Sequence, residues 1–314
     1  MTRAPGRAAV RRSSGGHRFF IVDVFAEEKY TGNQLAVVLP RGRLSDAEMQ
    51  RIAFEFNFPE TTFILGTRAA GGAYPVRIFT PRREVPFAGH PTLGTAYVIR
   101  KVLAPAGARE IVLDLKAGRI PVRFEGGKSG LVWMRQNPPA FGKTHDRKAL
   151  AGILGLASKD IDAGYPIQEV STGMAFLMIP LKNLAAVKKA RTDMAAYGAY
   201  FGRAGGRTPR VTPGLPLFLF SRETYSRDAR INCRMFADIF GIPEDPATGS
   251  ANGCLAGYLV RYGYLGSGKV RIMVEQGYEM DRRSRLHLDA DTVGPDIIVN
   301  VGGKVFEVAE GVLK

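Results

Sequence analysis

Two segments of this chain echo each other at a constant spacing: Glu84-Val-Pro-Phe-Ala-Gly-His90 and Glu244-Asp-Pro-Ala-Thr-Gly-Ser250. Glu84, Pro86, Gly89 and Ala96 each find the same residue type 160 positions later, at Glu244, Pro246, Gly249 and Ala256. That spacing is about half the chain. Stacked short repeats would recur every ~20–50 residues. The expected object is therefore a protein of two similar lobes related by pseudo-twofold symmetry.

In each segment a Pro and a Gly interrupt the chain, and an apolar stretch rich in small residues follows. Both read as a loop feeding a helix, the first over 91–103. A helix that begins at Gly89 or Gly249 presents unpaired N–H groups and the positive end of its dipole, which favour an anion. Two of them facing each other across a cleft would hold one small acid from both sides, with Gly89, Gly249 and Ala251 as the contacts. Gly-Pro turns before helices are common and most bind nothing. The pairing of two is what favours a ligand.

With 314 residues, 45% of them hydrophobic and 23% charged, the chain is long enough for two cores of ordinary domain size. No apolar run approaches the ~18 residues that span a bilayer, so no membrane association is expected and a cytoplasmic protein is. The first 18 residues carry Arg3, Arg7, Arg11, Arg12 and Arg18 without an acid, and residues 1–17 read as a disordered basic extension. The net charge of +15 raises nucleic-acid binding. Its carriers are scattered, as at Arg82-Arg83 and Lys188-Lys189, with no aromatic interleaving, so a solvated basic surface is the reading. Cys233 and Cys254 have no partner spacing, and His17, His90, His145 and His287 share no metal-ligand spacing. No disulfide, metal or cofactor is expected.

Strand and helix signals alternate along the chain. Strands read at 18–25, 34–39, 61–65 and 74–80, a helix capped by Leu44-Ser45-Asp46 at about 47–55, and short β units at 110–115, 119–124 and 131–135. The run 137–142, with Pro138 and Pro139, reads as a linker that breaks helix and strand alike. Beyond it come helices at 147–154 and 184–189, strands at 176–179 and 217–220, and β structure over 296–312 with Val301-Gly302-Gly303-Lys304 as a hairpin turn. The class is α+β, each lobe a mixed sheet wrapped around a central helix. The lobes are expected at 18–136, joined by a final strand at about 305–314, and at 143–304.

Four side chains are candidates for chemistry. Glu60 lies among Phe54, Phe56, Phe58 and Phe63, and apolar surroundings raise a carboxyl pKa toward that of a usable acid or base. Its plain alternative is a solvated loop carboxylate. His90 follows Gly89 at a helix start, where a neutral imidazole could hydrogen-bond a substrate; most such histidines are surface or capping groups. Asp245 could accept from a substrate amine or hydroxyl, and Ser250 could offer its hydroxyl beside the helix N–H groups. Asp-Pro turns and Ser caps are common, however. No Gly-x-Ser-x-Gly elbow surrounds Ser250, which argues against a nucleophile.

The segments Pro59-Glu-Thr-Thr-Phe63, Phe79-Thr-Pro, Glu84 to Gly94, Ser171-Thr-Gly173 and Glu244 to Ala251 resemble, in order, those of the phenazine-biosynthesis isomerase (PhzF) family, and the likeness runs from about residue 18 to the C-terminus. The resemblance implies the diaminopimelate epimerase fold, with a cleft between two pseudo-symmetric lobes and a final strand crossing back into the first. It implies a proton-shuttling Glu60, substrate contacts from His90, Asp245 and Ser250, and a homodimer. Epimerases of this fold use one cysteine from each lobe; the matching positions here are Ala88 and Thr248, and Cys254 reads as a small core residue. The run Gln276 to Ser284 differs from the family's Gly-Arg-Pro-Ser-like ending, with Asp281 and Arg283 in place of the Gly and Pro.

The leading expectation is a cofactor-independent isomerase that moves a proton within a small carboxylate-bearing metabolite, cyclic ones included. An amino-acid or hydroxy-acid epimerase would instead exchange an α-proton with solvent. A non-catalytic small-molecule binding protein would be stabilised by a ligand without forming product.

Overall fold

The computed structural model describes residues 15–68, 70–126, 130–202 and 214–314. The basic extension falls almost wholly outside them; His17, expected with it, is already the first residue of a strand.

The first lobe is built from β1 (His17–Val24), β2 (Asn33–Leu39), α1 (Asp46–Phe56), β3 (Glu60–Ile64), β4 (Ala73–Phe79), β5 (Glu84–Val85), α2 (Gly89–Val102), β6 (Glu110–Leu115), β7 (Gly118–Phe124) and β8 (Val132–Arg135). The second contains β9 (Ala140–His145), α3 (Arg147–Ile153), β10 (Ile167–Ser171), β11 (Ala175–Pro180), α4 (Leu184–Lys189), α5 (Met194–Phe201), β12 (Leu217–Ser221), β13 (Ile231–Ala237), β14 (Ile242–Asp245), α6 (Gly249–Arg261), β15 (Lys269–Gln276), β16 (Ser284–Val293) and β17 (Asp296–Gly303). The last strand, β18 (Val305–Leu313), pairs with β1.

The two sheets repeat one pairing pattern. In the order β18-β1-β2-β3-β4-β6-β7-β8, neighbours run antiparallel, antiparallel, parallel, antiparallel, parallel, antiparallel and antiparallel. The order β9-β10-β11-β12-β13-β15-β16-β17 runs the same way. β8 and β17 then pair antiparallel and join the lobes. Each sheet curls around its helix, α2 or α6, and both helices are buried on nearly every face, which suits their small and apolar residues. At Gly94 an added Cβ would sit 2.6 Å from Leu35 and 2.8 Å from Val24, so the sheet closes onto α2 only over glycine.

Local signals explain the element ends. Ser45 and Glu48 form a capping box that starts α1, and Asn57 ends it in the left-handed region. Two expectations fail. The run 137–142 is not broken throughout, because β9 starts at Ala140 once Pro139 has packed against Gly257 of α6. Residues 301–304 form no hairpin: β17 pairs with β16 and β8, whereas β18 leaves for the first lobe. Gly302 and Gly303 are there for close packing, since a Cβ on either would lie 2.5 Å from Trp133 or Phe25.

The echoed glutamates fix the loops that lead into the central helices. Arg77 of β4 grips Glu84 through two 2.7 Å hydrogen bonds, and Arg234 of β13 grips Glu244 at 2.8 and 2.7 Å. The bidentate fork sets each loop's direction as well as its charge. Lys116 also reaches Glu84. Arg234 is almost fully buried, and its remaining amino group donates to the carbonyls of Val187, Lys188 and Ala190 at the end of α4. Arg234→Met should therefore cost roughly 3 kcal/mol in urea unfolding, because the half-buried Glu244 and three carbonyls lose their buried cation together. Arg77→Met should cost clearly less, because Lys116 still serves Glu84; equal losses would contradict this account.

Candidate active site

The site forms where the two central helices start. Ala88 and Thr248, which precede α2 and α6, make no side-chain cap, so the first-turn N–H groups are left to other acceptors. The turns meet: a Cβ on Gly89 would lie 3.3 Å from the Ser250 nitrogen and 3.5 Å from Gly249 Cα, and one on Gly249 would lie 3.0 Å from the Phe25 ring. Glycine at both positions lets the positive ends of two dipoles come together.

Glu60 opens β3 rather than lying in a loop. The strand's pleat puts it on the side of Thr62, whose hydroxyl is 2.7 Å from that of Thr95 in α2. Phe63 lies on the opposite face in a cluster with Met49 and Phe79, and Phe54 is exposed. The four phenylalanines are thus not the enclosure expected for this carboxyl; the cleft itself is. Oε2 is buried, lies 3.3 Å from His90 Nε2 and has no hydrogen bond among the described residues. Burial, helped by the Asp245 charge, pushes the Glu60 pKa up to about 8.

His90 is the second residue of α2, with Nε2 3.3 Å from the Gln34 carbonyl. Burial outweighs that bond and pulls its pKa down to about 3, so the ring is neutral at physiological pH. Asp245 ends β14, with Oδ2 accepting from Thr248 Oγ1 at 2.5 Å and Oδ1 from Asn33 Nδ2 at 2.8 Å. Burial raises its pKa to about 6 against these two bonds, and the Glu244 charge adds to the rise. Ser250, half-buried, is the second residue of α6 and matches His90 in position; Ala251 follows and is fully buried.

Three residues around this site were not among the candidates. Asn33 opens β2 and bonds across the lobes to Asp245 and the Ala247 carbonyl. Gln276 is fully buried beneath the Asp245–Thr248 loop. Gln136 donates to the Gly249 carbonyl and accepts from Thr172. The loop at 277–283 lies against Pro246 and Gly32, next to Asp245 and Asn33. Asp281 takes the left-handed conformation, at φ 54°, that the glycine of the family pattern would adopt freely. Arg282 ties the lobes through the buried Asp23, at 2.7 Å, and the carbonyls of Thr31 and Gly32. Two surface cavities of about 470 and 700 Å³, around Trp133 and Arg271, contain none of the candidate residues. Cys254 is buried, and burial pushes its thiol up to about 12. Among the described residues no helix is long and apolar enough to cross a membrane.

Residues 22–311 match the phenazine biosynthesis-like protein family, PhzC-PhzF. The chain is 33% identical to a trans-2,3-dihydro-3-hydroxyanthranilate isomerase of Pseudomonas aeruginosa, over 94% of this chain and 98% of that protein. It superposes on a crystal structure of a PhzF-family phenazine biosynthesis protein of Bacillus anthracis with a TM-score of 0.83 and 26% identity, over 95% and 98% of the two chains. A hydroxyproline epimerase of Agrobacterium vitis shares the fold alone, at a TM-score of 0.62 and 10% identity over 96% and 93%.

The raised Glu60 pKa has a consequence for stability. Its protonated form favours the fold, a contribution complete below the ordinary value of 4.5 and lost as pH rises through about 8. Glu60→Gln should therefore match the unsubstituted protein in denaturant titrations at pH 5 and be the more stable by a few kcal/mol at pH 9. Equal stabilities at pH 9 would mean that the carboxyl is solvated.

Proposed function

The chain belongs to the phenazine biosynthesis-like (PhzC-PhzF) protein family, and on that premise we propose that it is a cofactor-independent isomerase moving a proton within a small carboxylate-bearing metabolite, cyclic ones included. One observation carries the reading. Glu60 holds one buried, unbonded carboxyl oxygen beside the neutral His90, where two uncapped helix N-termini meet.

In this reading the ionised fraction of Glu60 removes a proton from a carbon acidified by conjugation. The electron pair left behind spreads through the conjugated system toward the substrate's carboxylate, where the first-turn N–H groups of α2 and α6 and His90 oppose the negative charge. Glu60, now protonated, returns the proton to a second carbon, so nothing is gained or lost overall. Asp245 and Ser250 bind the substrate's amino or hydroxyl groups, and Gly89, Gly249 and Ala251 supply backbone contacts. Two-thiol epimerisation has no groups to run on: Ala88 and Thr248 stand at the cap positions, and Cys254 is buried with a raised pKa.

The test is proton NMR in deuterated water with trans-2,3-dihydro-3-hydroxyanthranilate, the substrate named for the Pseudomonas aeruginosa relative, and a panel of cyclic, amino and hydroxy acids. Internal transfer retains the proton in the product, and Glu60→Gln should lower kcat by about 10²–10⁴-fold. Full turnover by that variant would remove Glu60 from the mechanism. Exchange of an α-proton with solvent would favour an epimerase, and ligand-induced thermal stabilisation without product a binding protein.

The pH profile checks the order of the steps. Because Glu60 must be ionised to begin, kcat/KM should climb about tenfold per pH unit below about 8 and level off above it. A profile that falls over the same range would mean that Glu60 delivers a proton before it collects one.

A further inference from the structure

Glu60 from the first lobe, half-buried with its Oε2 enclosed, and the buried Asp245 from the second bring two carboxyl groups to one cleft, and neither is bonded to a cation among the described residues. Keeping both ionised there is costly, so the charge on one makes the other hold its proton. The hydrogen bonds decide which group holds it.

Gln276 is oriented by the main chain at both ends. Its Oε1 accepts from the Thr248 backbone N–H at 3.1 Å, and its Nε2 donates to the Asp245 carbonyl at 2.9 Å. A backbone N–H can only donate and a carbonyl can only accept, so the amide cannot be reversed. The same Nε2 lies 3.0 Å from Thr248 Oγ1, which must accept there, and the hydroxyl's own hydrogen then points to Asp245 Oδ2. At the other oxygen, the Asn33 atom 2.8 Å from Asp245 Oδ1 is also 3.0 Å from the Ala247 carbonyl. That carbonyl identifies the atom as the amide nitrogen, a donor. Both oxygens of Asp245 thus receive hydrogens from donors whose direction is set elsewhere, as suits a carboxylate. Glu60 has no such set, and its Oε2 is buried and unbonded.

We propose that Asn33 and Gln276 are positioning residues that fix Asp245 as the ionised member of the pair and so place the single resting proton on Glu60. The inference rests on the cleft being the proton-transfer site. The other titratable groups around Asp245 do not compete for its oxygens: Glu244 is held by Arg234, and the His90 ring is neutral. Behind Asn33, Asp23 pairs with Arg282, and behind Gln276 the Cys233 thiol lies 3.8 Å from its Oε1.

The experiment is a titration of the full-length protein labelled with ¹³C at the Asp and Glu side-chain carboxyls, the two resonances being assigned with Asp245→Asn and Glu60→Gln. In the unsubstituted protein, Asp245 should titrate at lower pH than Glu60. Asn33→Ala deletes one donor, and the uncharged Gln276→Met deletes the donor that directs the Thr248 hydroxyl toward Asp245. Each should raise the Asp245 midpoint by roughly one pH unit and lower that of Glu60. Glu60 ionising before Asp245 in the unsubstituted protein would overturn the proposal whether or not either variant folds. So would unmoved midpoints in a folded variant. Absence of turnover with every substrate would reject the catalytic reading and leave this titration intact, whereas an inverted order would reject only the proton placement.

Discussion

The contact between Gly89 and Gly249 is the constraint on which the rest of the structure depends. Two helix N-termini that meet head to head bring like partial charges together and leave their N–H donors without caps. Such an arrangement holds only if the helices cannot retreat. Each is therefore buried all round by a curled sheet, and each entering loop is anchored through its echoed glutamate by an arginine fork.

On that common frame the two lobes have diverged at single positions. Val85, Ala88 and His90 of the first lobe stand where the second has Asp245, Thr248 and Ser250. The scaffold pairs helix with helix, but the polar groups come mostly from one side, and Glu60 comes from outside the echoed segments altogether. The repeat builds a cradle; the unrepeated residues give it chemistry.

Much of this was legible in the sequence because it is local. The cap at 44–46 that starts α1, the starts of α2 and α6 and most strands follow from residues within a few positions of each other. The surroundings expected for Glu60 were less legible: one strand pleat turns Phe63 away from it. The failures are of one kind. Gly302-Gly303 reads as a turn until the distant Trp133 and Phe25 are known to press on it, and Asn33 reads as a turn residue until its partner appears 212 positions away. No window of sequence contains such pairs.

The return of β18 to the first lobe has a consequence for synthesis. In the second lobe the strand beside β10 is β9, made before it, whereas in the first the strand beside β1 is the last one made. At ~5–20 residues per second, β1 leaves the ribosome on the order of fifteen to sixty seconds before its neighbour. Through that interval the apolar run of Phe19 to Val24 presents an open sheet edge, the kind of surface on which nascent chains stick to one another. Vectorial folding thus favours completing the second lobe first, and the final strand acts as the latch that ends the nascent chain's vulnerable period.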